Sequence, residues 1–429
     1  MKETLKAQQN ILRQLVDQYT EGELLSIDME DYLSEITLKD DEKVWVLGAG
    51  KAAVEMAAQV ESYFPGRIKD GVVIAPQLRA RLYDIQVFRG AHPIPDNESV
   101  AASYELIHLA KRIPDGDTVI FCLSGGASSL FCIPPERVEL VELQETWKLL
   151  LESGADIHQI NVVRKHISES SGGRLGRILE GTNLVSIILS DVPGNWTDTI
   201  GSGPVSGDSS TFKEAFQILK KHGLWNRIPH TVRMHISAGM YGDIPETPIE
   251  MPVCHIERVI PGAGLLARNA GRKLKDEGYH VWIREEAYSA DVKKIAKEIC
   301  EKAIGILSNK DVLKKPAALV FYGESTVHVK GNGLGGRNQE LALITALSLE
   351  GQQSVSMLSL ATDGVDGPTD AAGAIVNSLT TLEARKKKIS PEDYLTQNDS
   401  YHFHQELGTL LKTGPTGNNV MDLQLVLVE

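Results

Sequence analysis

The strongest constraint on the fold is a series of short apolar runs that each end in a glycine or acidic turn. Six of them occur along the chain: VWVLGAG, GVVIAP, TVIFCLSGG, LVSIILSD, AALVFYGE and SMLSLATDG. Runs this short and continuous are typical of strands that are covered on both faces, as in parallel sheets. Because most of them are followed by helical periodicity, they predict an α/β fold with largely parallel sheets, Rossmann-like in its N-terminal part.

The length of the chain and a proline-rich break in its alternating pattern predict two α/β domains. Its 429 residues exceed one typical domain. Five prolines fall between residues 227 and 261, where the regular alternation is interrupted. We therefore predict an N-terminal domain at 1–240 and a C-terminal domain at 241–429. The final run, DLQLVLVE, is strand-like and pairs with either domain in this prediction.

Composition narrows the class of function. The net charge of -13 argues against a large nucleic-acid surface. No apolar run approaches the ~18 residues of a membrane span. The four cysteines form no C-x-x-C pair, and the N-terminal segment lacks an apolar signal core. These features predict a cytoplasmic monomer or homodimer that acts on small molecules and binds neither nucleic acid nor membrane.

The first glycine turn, GAGKAA at 48–53, fits the dinucleotide fingerprint but carries Lys51 at its tip. An NAD site needs an acidic residue at the end of the next strand, whereas Asp70 precedes that strand. A phosphate-binding P-loop needs Ser or Thr where Ala52 stands. Lys51 in the first turn of a helix suits an anion. Tight packing of the strand on the helix is the alternative.

Two further segments of the N-terminal half carry polar residues that suit anions. LSGGASSL at 123–130 follows a strand, and its small residues leave backbone N–H groups open to phosphate, unless it is a plain glycine turn. In the segment 161–175, Arg164 and Lys165 would share a helix face that clamps a carboxylate or phosphate, or form a surface charge cluster. Asp191 opens a long loop, which it either caps or uses to bind a cofactor.

The C-terminal half has the densest polar motifs. Glu324 stands at a strand end, and a run of glycines then leads to Arg337 at a helix start. The segment TDGVDGPTDAAGA at 362–374 brings three aspartates close together after a strand. Carboxylates near phosphate suit Mg²⁺, although Asp-Gly pairs are also common turn formers.

Taken together, the motifs resemble those of the type II glycerate kinases, which carry a C-terminal MOFRL domain. The following segments occur in an order similar to that family: GAGKAA, GAHPIPDNES, LSGGASSL, INVVRKHIS, SDVPG, GSGP, GNGLGGRNQE, ATDGVDGPTDAAGAIV and GPTGNNVMDL. The resemblance implies phosphorylation of D-glycerate by ATP and Mg²⁺, commonly to 2-phosphoglycerate, in a cleft between two α/β domains. It also implies a central role for Lys51 and Arg337, which match the positions thought to act in phosphoryl transfer.

On this basis we assign hypothetical roles to the polar residues. The catalytic set is Lys51, Arg337 and Asp191. The nucleotide-binding set is Gly50, Ser124, Gly125, Gly126, Ser128, Gly335, Gly336 and Asn338. The substrate-binding set is Arg164, Lys165 and Glu324, and the metal set is Asp363, Asp366 and Asp370.

Two other functions stay open at this point. The first is an NAD(P)H-dependent hydroxypyruvate reductase, a label that relatives of this family have sometimes carried. It depends on the turn at 48–53 and lacks both the ribose acid and an evident Arg/His pair for hydride transfer. The second is a non-catalytic protein that binds sugar acids or nucleotides.

Overall fold

The computed structural model describes residues 1–40, 42–77, 81–190, 195–251, 255–416 and 420–429. The chain divides into an N-terminal unit, residues 27–261, and a C-terminal unit, residues 1–26 with 262–429. The predicted boundary near residue 240 thus differs from the observed division at 261. The first 26 residues belong to the C-terminal unit because helix α1 (Lys2–Thr20) buries Leu12, Leu15 and Tyr19 in the core of that unit.

The N-terminal unit is built on a six-stranded parallel sheet with strand order β3-β2-β1-β4-β5-β6. Its strands are β1 (Val44–Ala49), β2 (Ile68–Ala75), β3 (Gln86–Arg89), β4 (Thr118–Ser124), β5 (Asn183–Ser190) and β6 (Ile256–Pro261). This is the order of a doubly wound dinucleotide-binding sheet. The order reverses between β1 and β4, and in such sheets ligands bind at the carboxyl ends of the strands that flank the reversal.

The helices of this unit pack on the sheet or on one another. They are α2 (Glu30–Ser34), α3 (Ala53–Tyr63), α4 (Asn97–Ala110), α5 (Ala127–Leu130), α6 (Leu140–Leu151), α7 (Ile157–His166), α8 (Arg174–Ile178), α9 (Phe212–Lys221) and α10 (His230–Tyr241), with a 3₁₀ turn at Ile200–Ser202. Every residue of β1 and β4 is buried, as the continuous apolar runs predict. A second apolar cluster joins α6, α7, α9 and α10.

The C-terminal unit has a mixed sheet with strand order β12-β11-β10-β13-β9-β7, and β8 also pairs with β9. Its strands are β7 (His280–Ile283), β8 (Tyr288–Asp291), β9 (Ala317–Thr326), β10 (Val355–Ala361), β11 (Gly373–Asn377), β12 (Leu410–Leu411) and β13 (Asp422–Val428). Two α/β domains are therefore confirmed, but only the first sheet is parallel. In the second, β7 and β8 run parallel to β9, and the other pairs are antiparallel.

The last strand lies in the middle of this second sheet. β13 pairs with β9 on one side and with β10 on the other, antiparallel to both. All seven of its residues are buried. The strand whose domain the sequence left open thus belongs to the C-terminal unit, where it places Asp422 beside Gly323 of β9.

Besides α1, the C-terminal unit has helices that pack on the second sheet or on α13. They are α11 (Gly262–Asp276), α12 (Val292–Leu307), α13 (Arg337–Ser348), α14 (Thr380–Lys386), α15 (Pro391–Thr396) and α16 (Ser400–Leu407), with a 3₁₀ turn at Glu23–Leu25. α1 and α11 pack on one face, and α12 and α13 on the other. Among the described helices, none combines the length and the apolar character that crossing a bilayer requires.

Candidate functional site

The turns that follow β1 and β4 are joined at the point where the strand order of the N-terminal sheet reverses. The Lys51 amide donates to the Gly125 carbonyl at 2.9 Å, and the Ala52 amide donates to Ser124 Oγ at 3.0 Å. Gly50 has a φ of 137°, and a Cβ there would collide with Ser124. Glycine is therefore required for the close approach of the two turns, and the fingerprint at 48–53 serves this crossing.

The Lys51 side chain is exposed at this crossing. Within the described part of the chain, its ammonium group forms no ion pair. Gly126 has a φ of 84°, and a Cβ added there would lie 3.3 Å from Lys51 Cγ and 2.9 Å from His92 Cδ2. The side chains of Lys51 and His92 therefore lie side by side over Gly126. An uncompensated cation beside open glycine turns suits an anionic ligand.

Arg164 is a second cation of this unit that has no acidic partner among the residues whose positions are described. Its guanidinium carbon lies 4.2 Å from the centre of the Trp147 ring, in a cation–π contact. Its Nε is buried without a hydrogen-bond acceptor among the described residues. Burial lowers the pKa of Arg164 to about 10. A buried guanidinium that lacks a counter-charge is costly, and a bound carboxylate or phosphate would relieve that cost.

Lys165, in contrast, is committed to the structure of the unit. Its Nζ lies 3.0 Å from Asp198 Oδ2 and 3.3 Å from Asp208 Oδ1, and its side chain is 3% exposed. The predicted pair Arg164 and Lys165 is thus separated by its partners. Arg164 retains the capacity to bind an anion, and Lys165 does not.

The serine-rich loop also uses part of its polar groups internally. Ser128 Oγ lies 2.8 Å from Ser202 Oγ, and Ser202 in turn donates to Asn161 Oδ1 at 2.9 Å. Ser124 is buried and accepts from the turn at Lys51. Both serines therefore shape the loop, and a direct contact of Ser128 or Gly125 with a nucleotide stays a prediction. Asp191 lies outside the described residues.

His92 was not singled out from the sequence, although it lies in the motif GAHPIPDNES. It follows β3 and is exposed beside Lys51. The surrounding protein lowers the pKa of His92, and the positive charges of Lys51 and Arg164 lower it further. The imidazole is therefore held neutral at pH 7 in a positively charged environment. A histidine two residues after Gly90, next to a strand end, was the sequence signal for it.

In the C-terminal unit, Arg337 begins α13 and is tied to an acid on β13. Its Nε lies 2.6 Å from Asp422 Oδ2 and its Nη2 lies 2.9 Å from Asp422 Oδ1, a bidentate pair. Nη2 also lies 3.5 Å from Glu324 Oε1, so the predicted Glu324 and Arg337 are brought together. Asp422 is fully buried, and burial raises its pKa to about 6. The sequence did not predict this acid.

Asp366 and Asn338 have structural roles that correct their predicted ones. The Asp366 carboxylate accepts from the Asn338 amide at 3.0 Å and from the Gln339 amide at 2.9 Å, so it caps α13. Asn338 Oδ1 accepts from Ser359 Oγ at 2.7 Å and from Gln424 Nε2 at 3.1 Å. Both are buried. Their polar atoms are used inside the protein, which leaves them unsuited to hold a metal or a nucleotide.

The glycines before Arg337 allow close packing of two chain segments. A Cβ on Gly335 would overlap Ser400 Oγ, and a Cβ on Gly336 would overlap the Asp366 carboxylate. The Gly333 amide donates to the Gln397 carbonyl at 2.8 Å. The segment 331–336 thus packs against 397–400. The glycines predicted to cradle phosphate are explained by this packing.

The three aspartates predicted to bind metal have separate partners. Asp370 accepts from Tyr401 Oη at 2.8 Å and pairs with Lys412 Nζ at 2.8 Å. Asp363 Oδ1 accepts from the Val365 amide at 3.0 Å. Over the residues with described positions, no three His, Cys, Asp or Glu side chains are grouped to hold a metal ion. As a set, Asp363, Asp366 and Asp370 therefore do not fit a metal site, and Asp363 alone keeps a carboxylate oxygen for one.

The C-terminal unit has a cavity of about 680 Å³ that none of the predicted site residues lines. It is bounded by α1 and by residues between 405 and 413, with Arg13 and Lys412 on its wall. Because Lys412 is paired with Asp370, only part of its charge is available there. The crossing of turns at Lys51 is therefore a better candidate for an anion-binding site than this cavity.

Comparison with known proteins places the chain among phosphotransferases. Residues 6–237 match a domain of unknown function, DUF4147, and residues 317–422 match the MOFRL family. The chain is 38% identical to a D-glycerate 2-kinase of Thermotoga maritima, over 90% of this chain and 91% of the relative. It is 37% identical to a glycerate 2-kinase of Pyrococcus horikoshii, over 90% and 87%. The crystal structure of a Thermotoga maritima glycerate kinase superposes with a TM-score of 0.76 at 35% identity, covering 99% of this chain and 100% of that one.

Proposed function

The chain belongs to the glycerate kinase family with a MOFRL domain, and on that premise we propose that it transfers the γ-phosphoryl group of ATP to the 2-hydroxyl of D-glycerate. The products are ADP and 2-phosphoglycerate. The observation that carries the proposal is a pair of cations in the N-terminal unit, Lys51 and Arg164, for which the described part of the chain supplies no acidic partner. In a chain with a net charge of -13, two such cations in one unit mark a site for an anion.

The two cations suit different parts of the reactants. Arg164 presents a planar guanidinium that matches the D-glycerate carboxylate in a bidentate pair. Lys51 is a compact, mobile charge, which suits the phosphoryl oxygens that gain charge during transfer. Little covalent chemistry is required of the protein in such a reaction, because positioning and charge neutralisation supply most of the rate. A shared role of Arg337 with Lys51 in the transfer stays a prediction.

The requirement for Mg²⁺ is part of the proposal. Mg²⁺ neutralises phosphate charge and needs only one or two protein carboxylates when it is bound with a nucleotide. Asp363 is the aspartate of the predicted set that can fill this role. We expect the D363N variant to need a higher Mg²⁺ concentration for half-maximal rate, with D370N as the matched control in the same segment.

The proposal is tested with the purified protein, ATP, Mg²⁺ and D-glycerate. ADP release is measured with a coupled assay, and the phosphorylated product is identified by ³¹P and ¹H NMR. We expect ADP and 2-phosphoglycerate in equal amounts. 3-Phosphoglycerate would contradict the choice of hydroxyl, and the absence of ADP would contradict the kinase activity.

The two alternatives are separated in the same preparation. Oxidation of NADH with hydroxypyruvate would indicate a reductase. Against it, β2 ends at Ala75 and continues into Pro76 and Gln77, so the acid that would hold the ribose of NAD is missing at that strand end. Tight binding of D-glycerate or ATP without ADP release would indicate a non-catalytic protein. The cytoplasmic location and the monomeric or homodimeric state stay predictions.

A further inference from the structure

We propose that His92 is the general base that accepts the proton of the attacking hydroxyl of D-glycerate. The inference rests on the proposed kinase function and deepens it, because it assigns a further residue to the reaction. It concerns the segment GAHPIPDNES, the motif to which no role has so far been given.

The position of His92 supports this role. The residue follows β3, and its ring lies against Gly126 in the turn after β4, beside Lys51. The turns after β1 and β4 flank the point where strand order reverses, where ligands of such sheets bind. His92 therefore stands next to the cation proposed to face the phosphoryl group, at the edge of the sheet where the substrate is expected.

Among the described residues, the ring nitrogens of His92 are available, unlike those of His166 and His404. In the described structure, no hydrogen bond engages them, whereas His166 and His404 each use both ring nitrogens for protein partners. Of the charged groups around His92, Lys51 on the turn after β1 and Arg164 on α7 affect its pKa, and both lower it. A neutral imidazole with a free nitrogen is able to accept a proton at pH 7.

The chemical step balances with the reactants already named. As the glycerate hydroxyl oxygen forms its bond to the γ-phosphorus, its proton passes to a ring nitrogen of His92. The bond from the γ-phosphorus to the bridging oxygen breaks, and the electron pair stays on ADP. His92 then releases the proton to solvent. In this arrangement Arg164 holds the carboxylate, so that the adjacent 2-hydroxyl is presented to the imidazole.

The test is the pH dependence of kcat/KM for D-glycerate in wild type and in H92N. Asparagine keeps a hydrogen-bonding side chain but does not accept a proton. We expect H92N to lower kcat about 100-fold, with the KM for ATP unchanged. In wild type, kcat/KM falls at acid pH as His92 becomes protonated, and this acid limb is lost in H92N. H108N, an exposed histidine on α4, is the matched control and keeps the wild-type profile.

Two further measurements separate catalysis from folding and from the parent proposal. Thermal unfolding of H92N verifies that it folds, and added imidazole is expected to restore part of the rate of H92A, which a structural role would not permit. Retention of the acid limb in H92N, or a rate within threefold of wild type, would overturn the role of His92. If wild-type protein itself forms no ADP from D-glycerate, the kinase proposal fails and the inference fails with it.

Discussion

Each of the two units contains a glycine-rich turn with a cation near the start of a helix. The two cations differ in whether an acidic side chain neutralises them. At Lys51, the glycines let two strand-end turns cross, and the ammonium group stays exposed and unpaired among the described residues. At Arg337, the glycines let the chain pack against 397–400, and the guanidinium is held by buried Asp422. The comparison teaches that a glycine–cation motif does not reveal whether its charge is free.

The largest expected effect is a loss of activity when Lys51, the unpaired cation of the comparison, is replaced. We predict that K51M lowers kcat by two or more orders of magnitude, because the charge that faces the phosphoryl group is lost. The unfolding transition stays that of wild type, since Lys51 is exposed. The measurement is steady-state ADP release together with thermal unfolding. K213M, an exposed lysine on α9, is the control, and near-normal turnover of K51M would sink the assignment.

The second prediction concerns Arg337, the paired cation, whose replacement is expected to lower the free energy of unfolding. R337M leaves the Asp422 carboxylate buried without its partner, which costs about 3–5 kcal/mol of unfolding free energy. The double variant R337M/D422N removes that carboxylate and is expected to recover most of the loss. Denaturant unfolding measures both. R385M, whose ion pairs with Glu350 and Glu392 are exposed, serves as control, and an equally small effect of R337M would break the comparison.

The third prediction uses the pH dependence of a buried histidine behind the Arg337 turn. His404 is fully buried, lies 2.9 Å from the Gln339 carbonyl, and burial lowers its pKa to about 4. Because the unfolded chain binds this proton near pH 6.5 and the folded chain does not, stability is lost as pH falls from 6.5 to 4. The loss amounts to roughly 3 kcal/mol.

This third prediction is measured as the difference in unfolding free energy between wild type and H404Q across that pH range. The advantage of wild type is greatest above pH 6.5 and shrinks towards pH 4. H280Q, at an exposed position on β7, is the control. A difference that does not depend on pH would show that the pKa of His404 is the same in the folded and unfolded protein, which would contradict the prediction.

The smallest predicted effect concerns the cap of α13. D366N keeps the shape of the side chain but loses the charge that accepts from the Asn338 and Gln339 amides. We expect a loss of about 1–2 kcal/mol in unfolding free energy, while the rate at saturating Mg²⁺ stays unchanged. D370N, whose carboxylate is exposed, is the control. A loss of Mg²⁺ dependence in D366N would restore Asp366 to the metal set.

The local patterns predicted much of the fold. Continuous apolar runs ahead of glycine or acidic turns located β1, β2, β4, β5, β9 and β10. The parallel N-terminal sheet followed from them. The mixed C-terminal sheet was not predicted, because strand direction depends on how distant segments return. The place of β13 between β9 and β10 is one such case.

By itself, the sequence determined which residues carry charge at strand ends and where glycine opens the chain. Lys51, Arg164 and Arg337 were found in this way. Tertiary structure alone decided which charges are neutralised, because the partners of Lys165 and Arg337 come from segments 33 and 85 residues further along the chain. Pattern and spacing act over one helix or strand, whereas the free energy of a buried charge depends on every segment packed around it. Because of that distinction, Lys51 and Arg164 have no acidic partner among the described residues, whereas Arg337 is paired with Asp422 and Asp366 caps α13.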